Sequence, residues 1–345
     1  MKTCITKSQI KNIGKKLRNT EVNSKLNQAD LEILNLWRSH HSPSLKYYAK
    51  LIKTEALKLN INDSQFTITQ RLKRVHSIIL KLKRFENMQL STMDDVAGLR
   101  IVVDSIDQVE DLTNVLKEKV GKHKLIKLNN YITHPKDDGY RSVHIIYKVD
   151  KTPSVHIELQ IRSMLQHYWA TGVEVFGTLE QTSFKTGDGH LDWREFFTLL
   201  SSRFAIKEGS TILSQHEILT KVQIEKKLVT KIKEMNIIEQ LNAYTSIYTS
   251  NWRNERSKGR SGKYALLTLN TINNTTNVSI FPENKFNKAL EDYSEIEKNY
   301  HSSSEINVVL VNLDNIENLE KAYPNYFMDT KVLSNYLSKI VLGEF

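Results

Sequence analysis

Hydrophobic and polar positions alternate without a break from Val155 to Arg162. Val155, Ile157, Leu159 and Ile161 share one face, and His156, Glu158, Gln160 and Arg162 share the other, which is the period of a half-buried strand. A carboxylate, an amide and a guanidinium at two-residue spacing make that polar face either a solvated surface or the floor of a site. Upstream, residues 1 to about 65 follow a helical period. Leu31, Ile33, Leu34 and Trp37 open one amphipathic segment and Leu45 to Leu59 make another, with a break at His40-His41-Ser42-Pro43. Over 69–86, Leu72, Val75, Ile78, Ile79, Leu82 and Phe85 form a stripe that predicts a helix. Lys73, Arg74, Ser77, Lys81 and Arg84 fall on an adjoining arc, and Arg71 falls in the first turn. This arc has almost no acidic partner at helical spacing, so a bound anion would relieve its self-repulsion; a solvated face is the alternative.

Asp94-Asp95 then leads into a buried strand at Leu99–Val103, followed by a helix over 107–120 and a short strand at Lys124–Leu128. A polar loop, Thr133 to Gly139, enters a strand that begins with Tyr140-Arg-Ser-Val-His144 and ends near Val149. After Val155–Arg162 comes a helix from about Ser163 to Phe176. The order predicts an α/β fold, a mixed sheet flanked by helices. Farther on, Gly187-Asp-Gly189 is a turn, and residues 191 to about 243 are helical. Trp252 to Lys263 is a basic loop, and its Gly-Arg-Ser-Gly-Lys ending lacks P-loop spacing. Tyr264–Asn270 and Asn277–Phe281 form a hairpin around Asn273-Asn274; a helix at Lys285–Tyr300, a strand at Ile306–Val311 and a final helix at Thr330–Val341 follow. The expected division is N-terminal helices at 1–65, a sheet domain at 66–180, a helical connector at 181–245 and a separate small α+β domain at 246–345.

Composition narrows the classes. The chain has 345 residues, 39% hydrophobic and 26% charged, enough for two or three modest domains. No apolar run is long enough to span a membrane, and the first residues lack the apolar core of a secretory signal. A single cysteine, Cys4, leaves no disulfide and no cysteine-built metal site. A cytoplasmic location is expected. The net charge of +10 and pI near 9.3 favour an anionic partner, whether nucleotide or nucleic acid.

The candidate chemistry follows from what these elements carry. Asp95 stands at the mouth of one strand and Glu158 on the polar face of another, a pair of hard oxygen donors suited to Mg²⁺. The cationic arc with Ser77 suits a polyphosphate. Tyr140, at the end of a polar loop, offers a ring on which a base can stack. The set predicts a nucleotide-dependent phosphoryl or pyrophosphoryl transferase.

Four motifs carry a resemblance to a known family. Arg71-x-Lys73-x-x-x-Ser77-x-x-x-Lys81-x-x-Arg84, Asp95-Val-Ala-Gly-Leu-Arg100, Gly139-Tyr-Arg-Ser-Val-His144 and Glu158-Leu-Gln-Ile-Arg162, ending in His167-Tyr-Trp-Ala170, occur in order. Over roughly residues 60–180 the chain resembles the synthetase domain of RelA/SpoT-type alarmone synthetases. The resemblance implies a nucleotidyltransferase-like fold and transfer of the β,γ-pyrophosphate of ATP to the 3′-hydroxyl of an acceptor. It implies that Arg71 and Arg100 sandwich adenine and that Lys73, Ser77, Lys81 and Arg84 hold the ATP phosphates. Asp95 and Glu158 would bind Mg²⁺, with Glu158 also helping to deprotonate the hydroxyl and Gln160 and Arg162 supporting it. Tyr140 would stack on the acceptor base, with Arg141 and His144 near its phosphates. No His-Asp pair occurs in the sequence, so no hydrolase of the bifunctional members is expected. Glu174 is followed by Val175, where many small members have histidine.

Two acceptors stay open. One is GDP or GTP, giving guanosine tetra- or pentaphosphate. The other is the 3′-CCA end of tRNA, as in toxic relatives whose fused C-terminal domain restrains them. For residues 246–345 an oligomerisation role and a protein-regulator role are both open.

Overall fold

The computed structural model describes residues 5–20, 27–118, 123–179, 191–257, 262–300, 305–313 and 316–345. Cys4, the expected Gly187–Gly189 turn and part of the Trp252–Lys263 loop lie outside the described residues. Three helices come first: α1 (Lys7–Asn19), α2 (Gln28–His40) and α3 (Ser42–Lys58). The sheet region follows with β1 (Phe66–Leu72), α4 (Val75–Arg84), β2 (Ala97–Val103), α5 (Ile106–Glu118), β3 (His123–Asn130), β4 (Val143–Val149), β5 (Val155–Ser163) and α6 (Met164–Leu179). Next come α7 (Leu191–Glu208), α8 (Lys221–Glu234) and α9 (Ile237–Ile247). The chain continues with β6 (Thr249–Ser250), α10 (Trp252–Ser257), β7 (Tyr264–Asn270), β8 (Thr275–Phe281), α11 (Phe286–Tyr300), β9 (Ile306–Leu313), α12 (Leu319–Ala322), α13 (Pro324–Phe327) and α14 (Lys331–Leu342). Among the described residues no helix is long and apolar enough to cross a membrane.

The strands form one mixed sheet in the order β3-β4-β5-β2-β1-β9-β7-β8-β6. β2 and β5 pair in parallel, whereas β1 pairs antiparallel with both β2 and β9. The 246–345 segment, expected as a separate domain, is therefore hydrogen-bonded into the same sheet through β9. The apolar faces of β2, β4 and β5 pack with the N-terminal helices and α5 in one core. A second core joins α6, α7, α8, α9 and α14.

The helix expected over 69–86 is corrected. Phe66–Leu72 is a strand, and α4 begins only at Val75. The run Phe-Thr-Ile-Thr-Gln-Arg-Leu alternates and is rich in β-branched residues, which favours a strand. It lies between β2 and β9, which bury even Thr67 and Thr69. Arg71 thus belongs to a strand and Lys73 to the link between strand and helix. Within the stretch expected to be helical from 191 to about 243, α8 and α9 are separated where Asn236 takes a left-handed backbone conformation, φ +49°.

The histidine pair closes the α2–α3 junction. The His41 Nδ1–H donates to the Trp37 carbonyl at 2.8 Å, and its Nε2 is buried with no partner. Burial pushes its pKa down to about 3. The unfolded chain takes up this proton near pH 6.5, but the native chain does not until about pH 3. The folded state therefore loses stability as pH falls through that window, by up to about 1.4 kcal/mol per pH unit from this one group. Urea unfolding at pH 7 and pH 5 should show a smaller loss on acidification for His41→Phe than for the wild type; equal losses would contradict the assignment.

Candidate functional site

Cross-strand register sets the polar face of the sheet in rows. Arg71, Gly98 and Glu158 stand opposite one another on β1, β2 and β5. Thr69, Arg100, Gln160 and His144 form the next row, which reaches β4. Gly98 adds no side chain between Arg71 and Glu158, so the middle of the first row is open. α4 runs beside these rows. Ser77, Lys81 and Arg84, at i, i+4 and i+7, point one stripe of the helix at the same space.

The result is a cleft of about 1240 Å³. It is lined by Arg71, Lys73, Ser77, Lys81, Arg84, Asp95, Arg100, Tyr140, His144, Glu158, Gln160 and Arg162, so the structure brings together all but one of the sequence-predicted site residues. The exception is Arg141. Its side chain is buried behind the cleft, with Nε donating to Ser201 Oγ at 2.9 Å and one NH donating to the Ile132 carbonyl at 3.3 Å. Tyr140 and Arg141 lie in the link before β4; Tyr140 lines the cleft and Arg141 does not.

The two carboxylates lie close enough to influence each other, and each is met by its own partners. Lys73 Nζ and Lys81 Nζ each approach Asp95 at 2.9 Å. Burial alone would raise the Asp95 pKa, but the two ammonium groups hold it well below the usual carboxylate range. Glu158 accepts from His144 Nδ1 at 3.1 Å and from Gln160 Nε2 at 2.8 Å. Burial also works against its charge; the His144 contact outweighs this and, despite the nearby Asp95, lowers its pKa. Both groups are ionised at neutral pH and present hard oxygens to one space. Among the described residues no group of three or more histidine, cysteine or acidic side chains gathers to enclose a metal ion. Two carboxylates fit Mg²⁺, which characteristically keeps water and phosphate oxygens as its other ligands.

Tyr140 is held in a hydrogen-bonded chain. Its hydroxyl lies 2.7 Å from His144 Nε2 and accepts from Arg162 at 3.0 Å; Arg162 also donates to Gln160 at 2.9 Å. Burial would raise the phenol pKa, but Arg162 and His144 bring it down to about 8. Tyr131 sits edge-on to Tyr140 and His144, and the Lys136 ammonium lies 4.7 Å and 5.0 Å from the Tyr131 and Tyr140 ring centroids. Arg100 is desolvated and flanked by Arg162 and Arg71, which together lower its pKa to about 10, so it remains charged.

Sequence reasoning missed Tyr131 and Lys136, although an aromatic and a lysine flanking the Tyr140 loop were a usable signal. It also missed the roof. Arg194 and Thr198 of α7, Gln215 and His216 beyond it, and Lys227 of α8 line the cleft. Nothing in the local pattern of the connector places it over the sheet.

Residues 70–177 match a family described as the region found in RelA / SpoT proteins. They form a RelA/SpoT-type domain. The domain is similar to two proteins of Bacillus subtilis, GTP pyrophosphokinase YwaC, 32% identical over 112 residues, and GTP pyrophosphokinase YjbM, 32% identical over 114. These alignments cover 29% and 30% of this chain, and the chain spans about half the length of the curated relatives it matches, 52% of each. A solved GTP pyrophosphokinase family protein from Streptococcus pneumoniae is 26% identical, with a TM-score of 0.41, over 49% of this chain and 84% of its own. The matched residues supply the sheet rows apart from Thr69, the α4 stripe and Tyr140; the roof on α7 and α8 lies beyond them.

Proposed function

We propose that the cleft transfers the β,γ-pyrophosphate of ATP to the 3′-hydroxyl of a guanine nucleotide, GDP or GTP. The observation that carries this reading is the convergence of Asp95 and Glu158 with the Lys73, Ser77, Lys81 and Arg84 grip in one cleft inside a RelA/SpoT-type domain. Among the described residues ten lysine and arginine side chains line the cleft against seven carboxylates, an excess suited to polyphosphate. Its volume of about 1240 Å³ also exceeds the roughly 300–1,000 Å³ of a site for one small ligand. Two nucleotides can lie there together, as direct transfer requires.

In this reading Arg71 and Arg100 hold the adenine end. Lys73, Ser77, Lys81 and Arg84 hold the phosphates, with the lysines turning from Asp95 toward phosphate oxygens when ATP arrives. Asp95 and Glu158 would hold Mg²⁺, which when bound would neutralise charge on the phosphate oxygens. Tyr140 stacks on the acceptor base, and His144 stands toward the acceptor. Glu158, oriented by His144 and Gln160, takes the proton from the 3′-hydroxyl oxygen. In-line transfer demands positioning and charge stabilisation above all.

Incubation with Mg²⁺ and γ-³²P-ATP, with GDP, GTP or bulk tRNA offered separately, tests the acceptor. Label in a guanosine polyphosphate is expected; label only on tRNA would overturn the guanine acceptor. The platform has its own test. Tyr140→Ala should raise KM for the guanine nucleotide by about tenfold or more, in line with the 1–3 kcal/mol of base stacking, and change KM for ATP less than threefold. Equal losses would remove Tyr140 from the acceptor side.

A further inference from the structure

α4 carries Ser77, Lys81 and Arg84, the polar side chains it turns to the cleft, but cannot hold its own ends. It has ten residues, short of the length at which isolated helices persist in water. Its N-cap residue, Arg74, makes no side-chain cap and has no acceptor atom to offer; the first turn holds no acidic residue.

Both ends are closed by distant segments. The Val75 N–H donates to Glu297 Oε1 at 2.8 Å, and Glu297 lies on α11, 222 positions away. The other Glu297 oxygen accepts from Arg38 of α2 at 2.6 Å in a buried ion pair. The Arg38 guanidinium also lies 4.6 Å from the Tyr293 ring centroid. Arg74 itself donates to Asn307 of β9 at 2.5 Å. At the C-terminal end, Arg18 Nε of α1 donates to the Leu82 carbonyl at 3.0 Å. Glu297, Asn307 and Arg18 all lie outside residues 70–177.

We propose that Glu297 is a positioning residue for the polyphosphate grip. By capping α4 it fixes Ser77, Lys81 and Arg84 against Lys73 and Asp95, so α11 is a working part of the donor site. The inference rests on the ATP-binding reading above. A carboxylate is the favoured group at a helix N-terminus. Because Arg38 neutralises it, it supplies an acceptor to the Val75 N–H without adding a net negative charge beside the phosphates. Displacement of a positioning element by about 1 Å can cost roughly 10²-fold in such sites.

The test compares two full-length double variants that differ only in the cap. Arg38→Met with Glu297→Gln keeps a carbonyl oxygen for the Val75 N–H; Arg38→Met with Glu297→Met removes it. Neither leaves Arg38 or Glu297 as a buried charge without the other, and both remove the same carboxylate from the neighbourhood of Arg74, so that loss cancels in the comparison. Thermal melting identifies a temperature at which both are folded, and calorimetry there measures binding of a non-hydrolysable ATP analogue with Mg²⁺. The glutamine variant should bind within about threefold of wild type and the methionine variant at least about tenfold more weakly. Equal affinities, or affinities that merely follow the melting temperatures, would overturn the proposal. If the wild type bound no analogue, the donor-site reading would fall and the proposal with it.

Discussion

Glu158→Gln is expected to stop turnover while ATP still binds. The substitution keeps size and shape but removes the negative charge. At present both carboxylate oxygens accept, one from His144 Nδ1 at 3.1 Å and one from Gln160 Nε2 at 2.8 Å. A glutamine amide would set its NH₂ against one of those donors, so the row formed by Gln160 and His144 also loses its orientation. The hydroxyl's proton acceptor and one candidate Mg²⁺ ligand are lost together. General-base contributions alone are on the order of 10²–10⁴ in rate, so kcat should fall by at least about 10³. The ATP grip on Lys73, Ser77, Lys81 and Arg84 is untouched, so analogue affinity should stay within severalfold. Single-turnover kinetics and equilibrium binding check the two halves separately. A kcat within tenfold of wild type would remove Glu158 from the chemistry.

The second large effect is expected at Gly139, and it falls on stability first. Its backbone takes φ +93°, a conformation that side chains with a Cβ rarely adopt. An added Cβ would lie 2.9 Å from Ser201 Cβ and 3.0 Å from Trp169 Cζ2. Those atoms belong to packed elements. Ser201 Oγ donates to the Gly139 carbonyl at 2.7 Å, and Trp169 Nε1 donates to the Phe197 carbonyl at 2.8 Å. Backbone strain and overpacking together should cost Gly139→Ala roughly 2–4 kcal/mol in urea unfolding. Because Tyr140 follows directly, the surviving folded fraction should also use the acceptor poorly. A change below 0.5 kcal/mol, taken as about the size of a neutral surface substitution, would contradict this account of the loop.

The parts legible in the sequence are those whose pattern is local. Val155–Arg162 alternates over its full length, and the structure extends the strand by one residue, to Ser163. Its expected polar face becomes the cleft floor. Asn273-Asn274 marked the hairpin that joins β7 and β8, with Asn274 at φ +52°. β1 was missed because Arg71 on it and Lys73 in the link after it fall near helical spacing from Ser77 and Lys81, so a strand and a helix gripping one space looked like one helix. What holds β1 as a strand is pairing along its whole length with β2, 25 to 37 positions away, and over Thr69–Arg71 with β9, about 240 positions away; such non-local pairing leaves no local signal. The same is true of the roof on α7 and of Glu297 beneath α4. Arg141 is turned from the cleft by its bonds to Ser201 of α7 and to the Ile132 carbonyl, and the first of these is another non-local contact.

The central claim is that pyrophosphate moves as a unit. The direct measurement is to supply α-³²P-ATP with GDP and Mg²⁺ and to separate the labelled adenine nucleotides. The account predicts labelled AMP, one for each guanosine polyphosphate formed, and its loss in Glu158→Gln. Labelled ADP in place of AMP would mean that a single phosphoryl group is transferred, and would contradict it.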